Sequence, residues 1–122
     1  MPRHILDESK IHPAIRQKIS DNHRDLVDEV LEAMKKTDIV VAGMAQNPNC
    51  GRACKALKKK GVTFTYIEKG SYLSQWRKRN ALKMWTGWPT FPMVFVKGVL
   101  VGGADDLEKL IDSGELDTLL KG

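Results

Sequence analysis

The chain has 122 residues, and 20 Lys and Arg against 15 Asp and Glu give it a formal net charge of +5. This length is enough for one domain with its own core but not for two. The longest apolar stretches have the length of strands, which excludes a helix that spans a membrane. The charged N-terminus without an apolar leader core and the two cysteines predict a reducing compartment, with the cytoplasm as the default.

The basic residues cluster at 58–60 and at 77–79. Both clusters lack the aromatic platforms and repeats that are typical of nucleic-acid binding. The three lysines also stand just before Gly61, where a helix should end and where their charge complements the helix dipole. We therefore expect neither a nucleic acid nor a membrane as partner. The charge fits a small dianionic ligand or an acidic protein partner equally well.

The pattern of apolar residues divides the chain into an arm at 1–20 and a domain at 21–122. In the arm, Ile11, Ile15 and Ile19 recur every four residues, which predicts a short amphipathic helix. The domain is expected to contain, in order, a helix from about 21 or 23 to 36, a strand at 39–41, a helix at 51–60, a strand at 62–67, a helix at 76–84, a hairpin with strands at 93–96 and 99–101, and a last helix through Leu107. A helical crossover makes the first two strands parallel, and the hairpin is antiparallel. The predicted fold is therefore α/β, with a four-stranded mixed sheet flanked by helices.

The segment from Trp88 to Asp105 is the most informative part of the chain. Pro92 directly precedes an apolar strand and cannot donate to its ladder, so it must lie at the mouth of the strand, a position compatible with a cis bond. The backbone of Phe91 is then left to pair with something else. After the hairpin, Gly102-Gly103 leads into a helix that Asp105 or Asp106 is expected to cap. These features predict a slot with backbone hydrogen bonds on one wall and a helix N-terminus on another.

In these motifs the chain resembles the glutaredoxins, and most closely their monothiol group. The family's Trp-Pro-Thr-aromatic-Pro, Gly-Gly-x-Asp and Ser-Gly-Glu-Leu segments recur at 88–92, 102–105 and 113–116. Their order and spacing make the match specific, and it extends from about Leu26 to the C-terminus. The resemblance implies a thioredoxin-like fold with a groove for glutathione.

The resemblance also implies a set of glutathione-binding residues. The backbone of Phe91 would hold the cysteinyl part of glutathione, in a turn shaped by Thr90 and Pro92. The γ-glutamyl end would be held by Asp105 and by the helix start at Ala104. Arg79 would bind a carboxylate in a fork. The chain departs from the family in one respect, because Met44 or Ala42 stands where the family has a lysine.

The position of the catalytic thiol can be aligned in two ways. In one, Cys50-Gly51-Arg52-Ala53 corresponds to the monothiol Cys-Gly-Phe-Ser, and Cys50 is the nucleophile. In the other, Asn47-Pro48-Asn49-Cys50 corresponds to the dithiol Cys-Pro-aromatic-Cys, and Asn47 stands in place of the nucleophile. The family's spacing to the Gly-Val before the second strand favours the second alignment, since it needs no gap before Gly61-Val62. An amide is neither a nucleophile nor a soft metal ligand, so disulfide exchange by the usual route would be lost.

Cys54 offers little as a partner for Cys50. Residues four apart on a helix have β-carbons about 5–6 Å apart, whereas a disulfide needs roughly 3.5–4.5 Å. Two cysteines without a neighbouring histidine are also too few ligands for a closed zinc site.

Three functions remain open at this point, and with them the question of whether the protein is an enzyme. The first is a glutathione-dependent oxidoreductase that uses Cys50 on protein disulfides. The second is a non-catalytic module that binds glutathione or a peptide. The third is a dimer that carries a [2Fe-2S] cluster on Cys50 and glutathione. It ranks last because it needs a thiolate at the first position of the family's active-site motif.

Overall fold

A computed structural model describes residues 3–71 and 74–121; residues 1, 2 and 122, at the ends of the expected arm and domain, lie outside it. The helices are α1 (Pro13–Asp21), α2 (Arg24–Lys36), α3 (Pro48–Lys60), α4 (Trp76–Thr86), α5 (Ala104–Asp112) and α6 (Glu115–Lys121), and the strands are β1 (Ile39–Gly43), β2 (Thr65–Glu68), β3 (Met93–Val96) and β4 (Val99–Gly102). No helix within these described ranges is long and apolar enough to cross a bilayer.

The strands form one sheet in the order β2-β1-β3-β4. Strand β1 pairs in parallel with β2 and antiparallel with β3, and β3 pairs antiparallel with β4. The predicted mixed four-stranded sheet is thus confirmed. All residues of the two central strands β1 and β3 are buried, which explains why both are continuous apolar runs rather than alternating ones.

Helices cover both faces of the sheet and divide the core into two layers. Val40 of β1 packs in one layer with residues from α2 and α4, and Val41 packs in the other with residues from α3, α5 and α6. This division follows from the alternation of side chains along a strand. Because β3 runs antiparallel to both β1 and β4, the loop after β1, the turn before β3 and the start of α5 lie at the same end of the sheet.

The β3–β4 hairpin turns at Lys97 and Gly98, as the sequence predicts. Both residues have positive φ, 49° and 79°. Positive φ at both central positions is typical of the type I′ turn, whose twist matches that of the flanking strands.

Several predicted boundaries are wrong: β1, α4 and β4 each extend one or two residues further than expected, and three larger differences have a local reason. Helix α3 begins at Pro48 rather than at residue 51, because Asn47 caps it. Strand β2 covers 65–68 rather than 62–67, because the Val62 amide donates to Leu57 and closes the end of α3. Helix α5 has Gly103 as its N-cap rather than an aspartate, and the Asp106 carboxylate accepts from the Gly103 amide at 3.1 Å.

The N-terminal arm contains the expected helix, α1, preceded by a 3-10 turn at Glu8–Lys10. Its isoleucine row does not form part of the core: Ile15 and Ile19 are both exposed. The arm reaches the domain at its start, where Arg3 Nη1 donates to the Thr86 carbonyl at 2.5 Å.

Candidate functional site

The N-terminus of α3 holds an amide side chain where the resemblance leads one to expect a thiolate. Asn47 Oδ1 accepts from the amides of Asn49 and Cys50 at 2.9 and 3.3 Å. Pro48 occupies the first helical position, where its missing N–H costs nothing. The positive end of the helix dipole therefore acts on a neutral group that already satisfies the first free amides.

Cys50 lies in the first turn of α3, and its side chain points into the core. It is 1% exposed and belongs to the same apolar cluster as Met44, Phe91 and Met93. Burial raises the pKa of the Cys50 thiol, and the nearby charge of Glu68 adds to this; hydrogen bonds with the Met44 backbone and the Tyr66 hydroxyl act in the opposite direction. The net effect keeps Cys50 as a neutral thiol at physiological pH.

Gly43, the last residue of β1, leaves room for the side chains of Cys50, Tyr66 and Glu68, which lie close together. A β-carbon at Gly43 would lie 2.9 Å from Cys50 Sγ and 2.9 Å from the Tyr66 hydroxyl oxygen. That hydroxyl donates to Glu68 Oε1 at 3.1 Å. Burial raises the pKa of Tyr66, and ionisation of Cys50 at high pH would raise it further, so the hydroxyl remains a donor. A side chain at position 43 would force this group apart.

A cavity of about 610 Å³ lies between α3 and the edge strand β2, and we call it the α3–β2 cavity. Cys50, Cys54, Tyr66 and Glu68 are among its lining residues. Both cysteines are free, as the helical spacing predicts. Burial raises the pKa of the half-buried Cys54 thiol as well. Neither sulfur is therefore activated as a nucleophile here.

The turn before β3 and the start of α5 lie side by side, and we call this place the Pro92 corner. The Phe91-Pro92 bond is cis, as expected from the sequence. A β-carbon at Gly103 would lie 3.5 Å from the Pro92 carbonyl oxygen, so the α5 N-cap directly adjoins the cis bond. The Phe91 backbone makes none of the turn, loop and cap hydrogen bonds found among residues 3–71 and 74–121. Thr90 is exposed, whereas Ala104 is buried.

Asp105, the second residue of α5, is paired with a cation that the sequence did not single out. Arg52 of α3 donates through Nη2 to Asp105 Oδ1, and its Nε lies 2.9 Å from Glu108 Oε1. The Asp105 side chain remains 80% exposed. The sequence offered no periodic signal for this pairing, because β2, α4 and the β3–β4 hairpin separate the two helices along the chain.

Arg79 is not a solvent-facing arginine, although it lies on a basic helix. It is 7% exposed, and its Nη1 donates to the carbonyls of Lys69 at 3.1 Å and Ser74 at 2.5 Å. Within the described ranges, no hydrogen bond or ion pair joins it to Phe91 or Asp105. In this structure Arg79 supports the loop before α4, and its role as a glutathione ligand stays a prediction.

Two further residues beside the Pro92 corner were missed by sequence reasoning. Trp88 Nε1 is buried and, within the described residues, has no hydrogen-bond partner; a β-carbon at Gly103 would lie 3.8 Å from it. Lys83 Nζ lies 5.7 Å from the centre of the Phe91 ring. The only available signal for Trp88 was its place at the head of the Trp-Pro-Thr motif.

The residues at the α3 N-terminus do not fit an iron–sulfur cluster. Such clusters are held by accessible thiolates, whereas the capping position holds the amide of Asn47 and Cys50 is buried among apolar side chains. Within 3–71 and 74–121, no three His, Cys, Asp or Glu residues are grouped so that they could hold a metal ion.

Comparison with known proteins agrees with the resemblance seen in the motifs. The glutaredoxin family model matches residues 39–101. The chain is 46% identical to a glutaredoxin-like protein of Dictyostelium discoideum over 84% of both chains, and 37% identical to a probable monothiol glutaredoxin 2 of Rickettsia prowazekii (strain Madrid E) over 75% of this chain and 88% of that protein. The crystal structure of a buckwheat glutaredoxin-glutathione complex has the same fold, with a TM-score of 0.68 at 21% identity over 87% of this chain and 93% of that chain. Motifs, fold and relatives lead to one conclusion: this chain belongs to the glutaredoxin family and has its thioredoxin-like fold.

Proposed function

We propose that this protein binds glutathione, or a peptide of similar shape, at the Pro92 corner without exchanging disulfides through Cys50. One observation carries the proposal: Asn47, and not a cysteine, caps α3 and accepts hydrogen bonds from its first amides. The protein would then be a binding module that has kept the glutaredoxin fold while its helix tip carries no reactive sulfur.

The binding half of the proposal is supported by complementary groups at the corner. Glutathione offers a peptide backbone, which matches the Phe91 backbone next to the cis bond. Its γ-glutamyl carboxylate suits the N-terminus of α5, because the first amides and the dipole of a helix attract anions. Its ammonium suits the exposed carboxylate of Asp105.

The non-catalytic half is supported by the state of the two sulfurs. Disulfide exchange needs a thiolate that can reach the substrate. Cys50 is almost fully buried and burial raises its pKa, while Cys54 lies a turn further along α3 and burial also raises its pKa. A thiol placed at position 47 would instead sit at the helix tip, where the dipole lowers a thiol pKa.

Intact-mass measurement after treatment with oxidised glutathione tests the non-catalytic half. All variants carry Cys54→Ser, so that Cys54 cannot contribute. We expect no added glutathione on Cys54→Ser alone and one on Cys54→Ser/Cys50→Ala/Asn47→Cys, in which no second thiol can displace the glutathione from residue 47. If Cys54→Ser gains one glutathione and Cys54→Ser/Cys50→Ala gains none, Cys50 reacts with disulfides, and the protein is an oxidoreductase rather than a non-catalytic binding module.

Titration of reduced glutathione, followed through backbone amide shifts, tests the binding half separately. We expect the largest shifts at Phe91, Ala104 and Asp105, with smaller ones around Asn47. Saturable shifts confined to the α3–β2 cavity would place the ligand elsewhere. The absence of any shift at the Pro92 corner at millimolar glutathione would remove the binding function.

A further inference from the structure

Arg52 connects α3 to the start of α5 at the edge of the Pro92 corner. Its guanidinium pairs with Asp105 Oδ1 and, through Nε, with Glu108 Oε1 at 2.9 Å. The side chains of Arg52 and Glu108 are each 43% exposed, so all three groups remain in contact with water. The carboxylate proposed to receive the ligand's ammonium therefore already holds a cation.

We propose that Arg52 is a specificity-determining residue, which disfavours ligands with a free α-ammonium by competing with that ammonium for Asp105. This inference rests on the proposed binding of glutathione at the Pro92 corner. An incoming ammonium must displace the Nη2 group of Arg52 from Asp105, whereas a ligand with an acylated amine leaves the Arg52–Asp105 pair in place. Arg52 would thus shift the preference of the site towards N-acylated γ-glutamyl peptides or other anions that lack a free amine.

The exposure of the pair sets the size of the effect. Exposed ion pairs contribute little to affinity, because water screens them and both side chains lose freedom. Removing Arg52 should therefore tighten binding of an ammonium-bearing ligand by about two- to fivefold. The effect should shrink as salt is raised, since ions screen exposed charges.

The test compares two probes on three proteins by calorimetry or amide-shift titration. The probes are reduced glutathione and N-acetylglutathione, which differ in the free ammonium. The proteins are the wild type, Arg52→Gln and Lys60→Ala. Lys60 also joins α3 to a later helix, through Asp117 of α6 at 3.0 Å, so its removal makes the same charge change away from the Pro92 corner.

We expect Arg52→Gln to bind glutathione about two- to fivefold more tightly than the wild type does, with no gain for N-acetylglutathione. Lys60→Ala should change neither. Comparing the two ligands isolates the interaction between Arg52 and the ammonium, as a double-mutant cycle does. A purely structural role of Arg52 would move both ligands together.

Three outcomes would overturn the inference. If Arg52→Gln weakens both ligands, Arg52 binds a ligand carboxylate instead of competing with the ammonium. If the ratio of the two affinities is the same in wild type and Arg52→Gln, the pair does not influence the site, and the proposed glutathione binding still stands. If no variant binds glutathione, the proposed function falls together with this inference.

Discussion

The cap of α3 can be tested by replacing Asn47 with alanine. In the structure the Asn47 carboxamide accepts from two amides, but the Cys50 amide also donates to the Asn47 backbone carbonyl at 3.2 Å and keeps that bond in the variant. Only the Asn49 amide is left without an acceptor, and Asn49 is exposed. Water can replace the lost acceptor in part.

The expected cost follows from this geometry. Replacing an asparagine N-cap by alanine costs about 0.5–2 kcal/mol. Since one of the two amides keeps a partner and the other faces water, we expect about 1 kcal/mol of lost unfolding free energy, or a Tm lower by about 3–5 °C. Asn47→Asp should be at least as stable as the wild type, because it retains the acceptor and places a negative charge at the helix N-terminus.

Urea denaturation followed by circular dichroism measures the change. The midpoint should fall for Asn47→Ala while the slope m stays constant, since the surface exposed on unfolding is the same. Asn49→Ala is the matched control, because Asn49 lies two residues further along the chain and its side chain has no capping role. This variant should be as stable as the wild type or slightly more stable. If Asn47→Ala proves as stable as Asn49→Ala, Asn47 does not cap α3, and the observation that carries the proposed function fails.

Three other substitutions test the environment of Cys50 and the loop before α4. The folded protein holds the Cys50 proton more tightly than the unfolded chain does, so the free energy of unfolding should fall as pH rises above about 8.5, the ordinary pKa of a thiol. Cys50→Ala should reduce this dependence of stability on pH, and an unchanged dependence would contradict the burial effect. Gly43→Ala should cost about 1–3 kcal/mol of unfolding free energy, because its methyl meets Cys50 and Tyr66 at 2.9 Å, and a variant as stable as wild type would show that this group is loose. Arg79→Met should speed hydrogen exchange at the Ala45 amide, which donates to the Gly70 carbonyl at 2.7 Å in the loop that Arg79 supports; unchanged exchange would mean that the loop stands without it.

Most of the fold could be predicted because local pattern and global architecture agree. The apolar runs of β1 and β3, the turn at Lys97 and Gly98 and the amphipathic pattern of α2 each indicate the element that the structure contains. The start of α3 was missed because Asn47-Pro48-Asn49 has the composition of a loop. Those residue types are also what a helix N-terminus prefers, and only the capping geometry distinguishes the two.

The sequence by itself determined the family, the order of the elements along the chain and the cis-proline turn, since each depends on residue types at fixed spacing along the chain. It also favoured an alignment that puts Asn47 where the family has its nucleophile. Only the tertiary structure decided that Cys50 points into the core, that Arg79 is buried beneath a loop and that Arg52 holds Asp105. The orientation of a side chain and its charge partner depend on elements far apart in the chain, which no local pattern encodes.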